Sequence, residues 1–507
     1  MKINKFFFVP LVVIVSYLIA FNIAPKLAGS HFRVIGMVFV GLVLFIMASM
    51  YLLPRLSYEN VLAFLVLTLP FTDAFLIEMG GSLRICYYFT ILALIIGFSK
   101  GILYFPIRDS SLLFLYAYIL YAAISLSYVL WIPEMRSITT SSLRGSIYRP
   151  YIQFAQLLLM ASSFFVVLNY IIFSKENWKK ACNWIFWSLV IVSAYAYYEM
   201  FSLHFNLPFL NFVNAPLEAG SSLSAKILYD AYLGDQREIF GILLVRPRTF
   251  MSEPQFLGAF LLFAAPLAYL SAHFETRKKQ RLFKRAVLWS LVPVFVAINS
   301  RSGFISLGGI ALFVLLLIKD RRLKRISIVM LLISLVFVVN MAYQMLGNKV
   351  VLTKLSTFSD ALFQARSGAD EKGSFLGGAL DVFLAHPILG VGIGCAPFYF
   401  KDHLLGSVAG AVVGSLGNIY SNVFSELGLV GFFFFLAFIG TIFFKVLEIA
   451  QTSKLPDYPV MAIAWLISFV GTMIALLGSS GLYTNNYIWV MWAMGAGLVL
   501  LHKKGEV

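Results

Sequence analysis

Long apolar runs separated by short basic connections organise this 507-residue chain. The runs fall at roughly 6–24, 33–53, 60–78, 85–99, 110–132, 152–173, 182–203, 253–273, 286–299, 302–319, 326–346, 418–444, 459–478 and 486–501. Most are close to the roughly 20 apolar residues that a spanning helix needs, and far longer than the roughly 10-residue alternating segments of a membrane barrel. The fourth and ninth are short. Lipid offers no partners to backbone N–H and C=O groups, so spanning segments must satisfy their own. The pattern therefore predicts an all-α polytopic membrane protein, with about 14 transmembrane helices forming one domain over residues 1–507. The first run follows Lys2 and Lys5 and lacks a small-residue cleavage site, so it reads as a retained span and not as a signal peptide.

Charge sets the orientation. Lys and Arg close to spans stay cytoplasmic. With the N-terminus inside, the connections around Arg277–Arg285 and Lys319–Arg325 and the tail with Lys503 and Lys504 are all cytoplasmic. That side carries 23 of the 39 Lys and Arg but only 8 of the 23 Asp and Glu. The net charge of +16 is thus a topology signal and a contact for anionic membrane lipids, and no nucleic-acid footprint. On the outer side arginine outnumbers lysine, and the planar guanidinium grips phosphate in two places where lysine is a point charge. This points to phosphate recognition on the outer face.

Three outer connections are long: about 133–151, 204–252 and 347–417. Long connections in a compact protein carry function or are disordered, and the last two are expected to cover an outer cavity as a small, helical extracytoplasmic layer. The second holds an amphipathic stretch, Leu217–Leu233. The third holds a short interfacial helix at Phe375–Leu384, then His386-Pro387-Ile388-Leu389-Gly390-Val391-Gly392-Ile393-Gly394, where proline and glycines force irregular backbone that should line a cavity. Cys86, Cys182 and Cys395 lack metal-ligand spacing and read as structural. No zinc, P-loop or dinucleotide motif is present, so no metal or cofactor is expected.

Candidate chemistry collects at the outer ends of spans. Arg246-Pro247-Arg248 precedes Ser252-Glu253-Pro254, with Pro254 suited to a first helical turn and Ser252 to its cap. Asn299-Ser300-Arg301 makes a tight turn between two spans. Arg366 lies in the largest connection. Asn418, Asn422 and Glu426 share one helical face at i, i+4, i+8, which places Glu426 about 12 Å below the start of the span. A carboxylate there needs a polar cavity or a partner; Asp73 and Glu199 raise the same question. Outer arginines converging on one cavity would suit a diphosphate and would stabilise charge growing on a departing one.

These motifs, in this order over about residues 240–435, resemble the O-antigen polymerase and O-antigen ligase superfamily of membrane glycosyltransferases. The resemblance rests on Arg246-Pro247 through Ser252-Glu253-Pro254, on Ser300-Arg301, on the stretch from His386, and on Glu426-Leu427-Gly428-Leu429-Val430-Gly431. It implies a bundle of the membrane glycosyltransferase C type in the bacterial inner membrane, with an outer active site. The implied substrates are undecaprenyl-diphosphate-linked oligosaccharides, and the implied partners a chain-length regulator and a flippase. On this reading Arg246, Arg248, Arg301 and Arg366 bind diphosphate, and His403, Asn418 and Asn422 join the substrate site. Glu253 is the first candidate for general base, with His386, His403 and Glu426 behind it. Ligases of the family carry a histidine before the asparagine at position 418; here that residue is Gly417, which favours a polysaccharide polymerase. Transfer to lipid A core or protein by a ligase, and transport by a lipid-linked oligosaccharide flippase, stay open as alternatives.

Overall fold

The structure is a computed structural model that describes residues 57–71, 77–78, 82–83, 85–105, 109–130, 149–202, 236–239, 242–249, 251, 254–346, 375–399, 418–478 and 485–505. The first two expected spans, the Leu217–Leu233 stretch and Asp73 lie outside these residues. The helices are α1 (Tyr58–Leu67), α2 (Ile85–Ser99), α3 (Ser110–Ser125, continued by a 3-10 turn Leu126–Leu130), α4 (Arg149–Ile171), α5 (Lys175–Ser202), α6 (Pro254–His273), α7 (Lys278–Ile298), α8 (Arg301–Leu317), α9 (Arg321–Leu346), α10 (Phe375–Ala385), α11 (Ala396–Tyr399), α12 (Ile419–Thr452), α13 (Tyr458–Ala475, continued by a 3-10 turn Leu476–Gly478) and α14 (Asn486–Gly505). Among the described residues five helices are long and apolar enough to cross a membrane: α3 with its 3-10 turn, α4, α6, α12 and α13 with its 3-10 turn. The protein is a multi-pass membrane protein of helical architecture.

Two short β-hairpins depart from the all-α expectation: β1 (Ile77–Glu78) with β2 (Ser82–Leu83), and β3 (Gln236–Ile239) with β4 (Ile242–Val245), both antiparallel. The first ends the expected third span early. Pro70 lacks an N–H to continue the helix, so α1 stops at Leu67 in a turn. The second corrects the expectation of a purely helical outer layer. Aliphatic residues of strand preference flank a two-residue connection, with Ile239 paired to Ile242.

Packing sorts the helices by depth. α6 sits centrally, against α5, α7 and α13, and α14 is buried along nearly its whole length between α4, α12 and α13. α9 is peripheral. It packs on α8 and leaves Ile326, Val329, Val336 and Val339 exposed, an apolar surface suited to lipid. Pro266 inside α6 and Pro293 inside α7 are tolerated as they are in membrane helices.

Polar side chains weld one end of the bundle together. Asp109 caps α3 by accepting from Ser111 N–H, and it receives Lys445 of α12 (3.1 Å) and Lys503 of α14 (3.0 Å). Asp457 receives Lys175 and Lys179 of α5. Lys284 of α7 donates to Glu275, Ser271 and Asn183. The charged residues among these fall on or beside the connections that the alternation of spans groups on the cytoplasmic side. Burial alone would raise the Asp109 carboxyl, but hydrogen bonds from Ser111, Lys503 and Lys445 and the Lys445 charge outweigh it and hold the group well below the usual carboxylate range. A carboxylate lowered on folding adds stability above its ordinary pKa near 4 and loses it as pH falls toward the folded value. Asp109→Asn is therefore expected to lower stability at neutral pH by about 1–2 kcal/mol, since both lysines are partly exposed. It should also flatten the loss of melting temperature between pH 6 and pH 3, which thermal unfolding in detergent measures.

Candidate active site

The opposite end carries the outer candidates. Arg246, Pro247, Arg248 and Thr249 leave β4 and lead toward α6. Arg246 is half-buried, and its Nε donates to the carbonyl of Ile298, the last residue of α7 (2.9 Å). The backbone N–H groups of Arg248 and Thr249 both donate to one carboxylate oxygen of Glu199, on the last turn of α5 (3.0 and 2.7 Å). Glu199 is 3% exposed. This buried carboxylate is the staple that holds the arginine segment, and Thr249 takes a left-handed conformation there (φ 56°), uncommon for a β-branched residue.

Three residues beyond Ile298 stands Arg301. Asn299 ends α7 in the left-handed region (φ 45°), a conformation asparagine tolerates, and Ser300 caps α8 by accepting from Gly303 N–H. With only two residues between helices, Arg301 is fixed as the first residue of α8. Its side chain is exposed and bonds to none of the described residues. Arg246 and Arg301 are thus brought to one turn, with Arg248 beside them on the Glu199 staple. Arg366, His403 and Glu253 lie outside the described residues.

A second group surrounds α12. Here the expectation of an unbroken span needs correction. Gly428 (φ 59°, ψ −163°) interrupts the helix. Tyr420, eight residues ahead of the break, donates to the carbonyl of Met473 near the outer end of α13 (2.9 Å). Gly428 thus divides α12 into a leading segment, Ile419–Leu427, and a long part from Leu429 to Thr452. Leu429–Thr452 is about 36 Å long at 1.5 Å per residue, enough for a hydrocarbon core of about 30 Å. Glu426 stands two residues before the break, on the leading segment. Asn418 caps the leading segment by accepting from Ser421 N–H (2.8 Å), and Asn418, Asn422 and Glu426 are all buried on its inward face.

The His386–Gly394 stretch fills the break. Pro387 and Ile388 carbonyls accept from Leu429 and Val430 N–H (2.9 and 3.2 Å). Val391 and Gly392 N–H donate to Ser425 and Glu426 carbonyls (3.3 and 2.8 Å). Four backbone groups left over by the interruption are satisfied by a segment some forty residues upstream, as burial in a membrane demands. The backbones approach so closely that a Cβ on Gly428 would lie 2.4 Å from Ile388 O, and one on Gly390 2.4 Å from Glu426 O. Tyr121 donates to Leu389 O and Ile393 N–H to Ser125 Oγ, which ties the stretch to α3.

The stretch lines a hollow of about 380 Å³ with Tyr128 and Tyr399, apolar apart from His386 and the two tyrosine hydroxyls. His386 is exposed, with its ring edge-on to Tyr399. Behind it Cys395 is fully buried; burial raises its thiol pKa, Glu426 raises it further, and Arg149 at the start of α4 lowers it in part. Arg149 went unnoticed in the sequence, although Arg149-Pro150 opens an apolar run on the outer side much as Arg246-Pro247 precedes one. The 3-10 turn ending α13 touches α12, and its Gly478 abuts Ser302 beside Arg301. Among the described residues no three His, Cys, Asp or Glu gather in a way that could hold a metal ion.

Residues 286–436 match the family model described as O-Antigen ligase. This stretch, from α7 through the Ser300-Arg301 turn and the His386 segment into α12, is what the chain shares with the O-antigen ligase family model. No curated protein matches the chain.

Proposed function

We propose that this protein is a polysaccharide polymerase, which joins undecaprenyl-diphosphate-linked oligosaccharide repeats into O-antigen or exopolysaccharide at the outer face of the cytoplasmic membrane. The single observation that supports the reading is the hydrogen bond that joins Arg246 to the Ile298–Arg301 turn, a turn that lies within the matched residues 286–436. An acceptor sugar hydroxyl attacks the anomeric carbon of the donor, the bond from that carbon to the diphosphate oxygen breaks, and the hydroxyl proton passes to a carboxylate or imidazole. Arg246, Arg248, Arg301 and Arg366 take up the charge that grows on the leaving diphosphate, positioned donors in place of a metal ion. Glu253 is the base, with His386, His403 and Glu426 as the other candidates; Asn418 and Asn422 complete the substrate site. A base must reach the acceptor hydroxyl and titrate near the working pH. The fold on this reading is a glycosyltransferase C-type bundle of about 14 spans, with both termini cytoplasmic, working beside a chain-length regulator and a flippase.

A ligase reading has one observation in its favour: the description of the matched model names a ligase. Gly417, where the ligases carry histidine, weighs against it. Purified protein in detergent, given a lipid-linked repeat and no added metal, is expected to yield a ladder of lengths on polyprenyl lipid. Transfer of whole chains to a second acceptor would make it a ligase, and movement of labelled lipid across vesicles without a new glycosidic bond would make it a transporter.

A further inference from the structure

The last helix begins with two asparagines that the arginine-centred reading does not use. Asn485 is 3% exposed and Asn486 1% exposed. Among the described residues the side-chain nitrogen of Asn485 and both the nitrogen and the oxygen of Asn486 make no hydrogen bond. Buried amides in native proteins are nearly always satisfied, because leaving donor and acceptor desolvated and unmatched is costly. A short polar side chain just before a helix would ordinarily cap it, yet neither amide does so here.

Their position ties them to the arginines. Tyr487 packs its ring against Phe260 and Phe263 of α6. About half a turn to one and a half turns earlier on α6, Gly258 approaches Ile298 and Ser300. Asn485 and Asn486 thus sit within about one or two helical turns of the depth of the Arg246–Arg301 turn, at the same end of the bundle.

We propose that Asn485 and Asn486 form a sugar-binding subsite, which receives hydroxyl groups of the glycan carried on the lipid diphosphate. The chemistry selects a sugar over the diphosphate itself. A primary amide offers both a donor and an acceptor, and a sugar hydroxyl answers both; a diphosphate oxygen only accepts and would leave the amide oxygen unmatched. This inference rests on the glycosyltransferase reading, since it names the sugar end of that substrate. It assigns to α14, outside the matched domain, a part in choosing which glycan is used.

The test is binding by the full chain in nanodiscs, with two probes: the lipid-linked repeat unit extracted from producing cells, and bare polyprenyl diphosphate. Asn486→Leu keeps the shape of the side chain and removes both polar atoms. It is expected to weaken binding of the repeat unit at least tenfold and to change binding of the bare lipid by less than twofold. Its melting temperature without ligand should equal or exceed that of the parent, because an unmatched amide has gone. Asn485→Ala, which adds no apolar bulk, is read on the same probes should Asn486→Leu fail to fold. Equal loss for both probes, or loss for neither, overturns the subsite and leaves these amides to ordered water or to plain packing. A parent protein that binds neither probe overturns the glycosyltransferase reading itself, a result distinct from a parent that binds both while the variants match it.

Discussion

Arg301→Ala is expected to abolish visible polymer while leaving a folded protein in the membrane. The separation of the two effects follows from the turn. Ser300 supplies the cap of α8 through its own side chain, and Asn299 ends α7, so neither device needs the arginine. The side chain is exposed and bonds to none of the described residues, and exposed positions of that kind shift stability by about 0.5 kcal/mol or less. Against that, each charge-assisted hydrogen bond to a phosphate oxygen contributes about 1.5–3 kcal/mol. Two such bonds lost in the transition state slow the reaction by roughly two orders of magnitude or more, at a factor of ten per 1.4 kcal/mol. Arg301→Lys retains the charge and loses the two-pronged grip, so it should fall between the two. The readout is the ladder of product lengths beside a melting curve of the same preparation. A full-length product from Arg301→Ala removes the residue from the mechanism.

How far the architecture could be read in advance differs from element to element. The apolar runs at 152–173, 253–273 and 459–478 sit close to helices α4, α6 and α13, because a membrane helix is specified by composition alone over some twenty residues. The ion pairs of Asp109, Asp457 and Glu275 involve lysines of connections that the charge pattern groups on one side. The interruption at Gly428 was not legible. Glycine is ordinary in membrane helices, and Glu426–Gly431 looks like any apolar turn until its partner is known. The His386 segment was read as irregular backbone, which it is, but nothing local says that its carbonyls and amides answer those of a helix far along the chain. Glu199 shows the same limit from the other side. A lone carboxylate on an apolar run says that a partner exists; that the partner is the backbone of Arg248 and Thr249 emerges only once α5 and the connection before α6 are brought together.

Gly428→Ala should inactivate the enzyme by a different route, through the seam between α12 and the His386 segment. The conformation at Gly428 (φ 59°, ψ −163°) lies in a region that essentially only glycine enters, at a cost of about 1–3 kcal/mol for any other residue. The added methyl would also meet Ile388 O at 2.4 Å and the Gly390 nitrogen at 2.5 Å, both backbone atoms that cannot swing away. The helix can relieve the clash only by expelling the upstream segment. That forfeits the four backbone bonds that close the break and releases His386, Leu389 and the backbone at Glu426 together. The expected result is a protein still inserted, with a lowered melting temperature and polymer synthesis reduced by at least about 100-fold, a fall equivalent to about 2.7 kcal/mol. The control is on the same helix. A Cβ on Gly440 would meet nothing within 4 Å, and Gly440→Ala exchanges the poorest ordinary helix former for the best. It should leave synthesis untouched and stability equal or slightly raised. If Gly428→Ala behaved like Gly440→Ala, the seam would carry no function, and the hollow beside His386 would lose its claim to a place in the reaction.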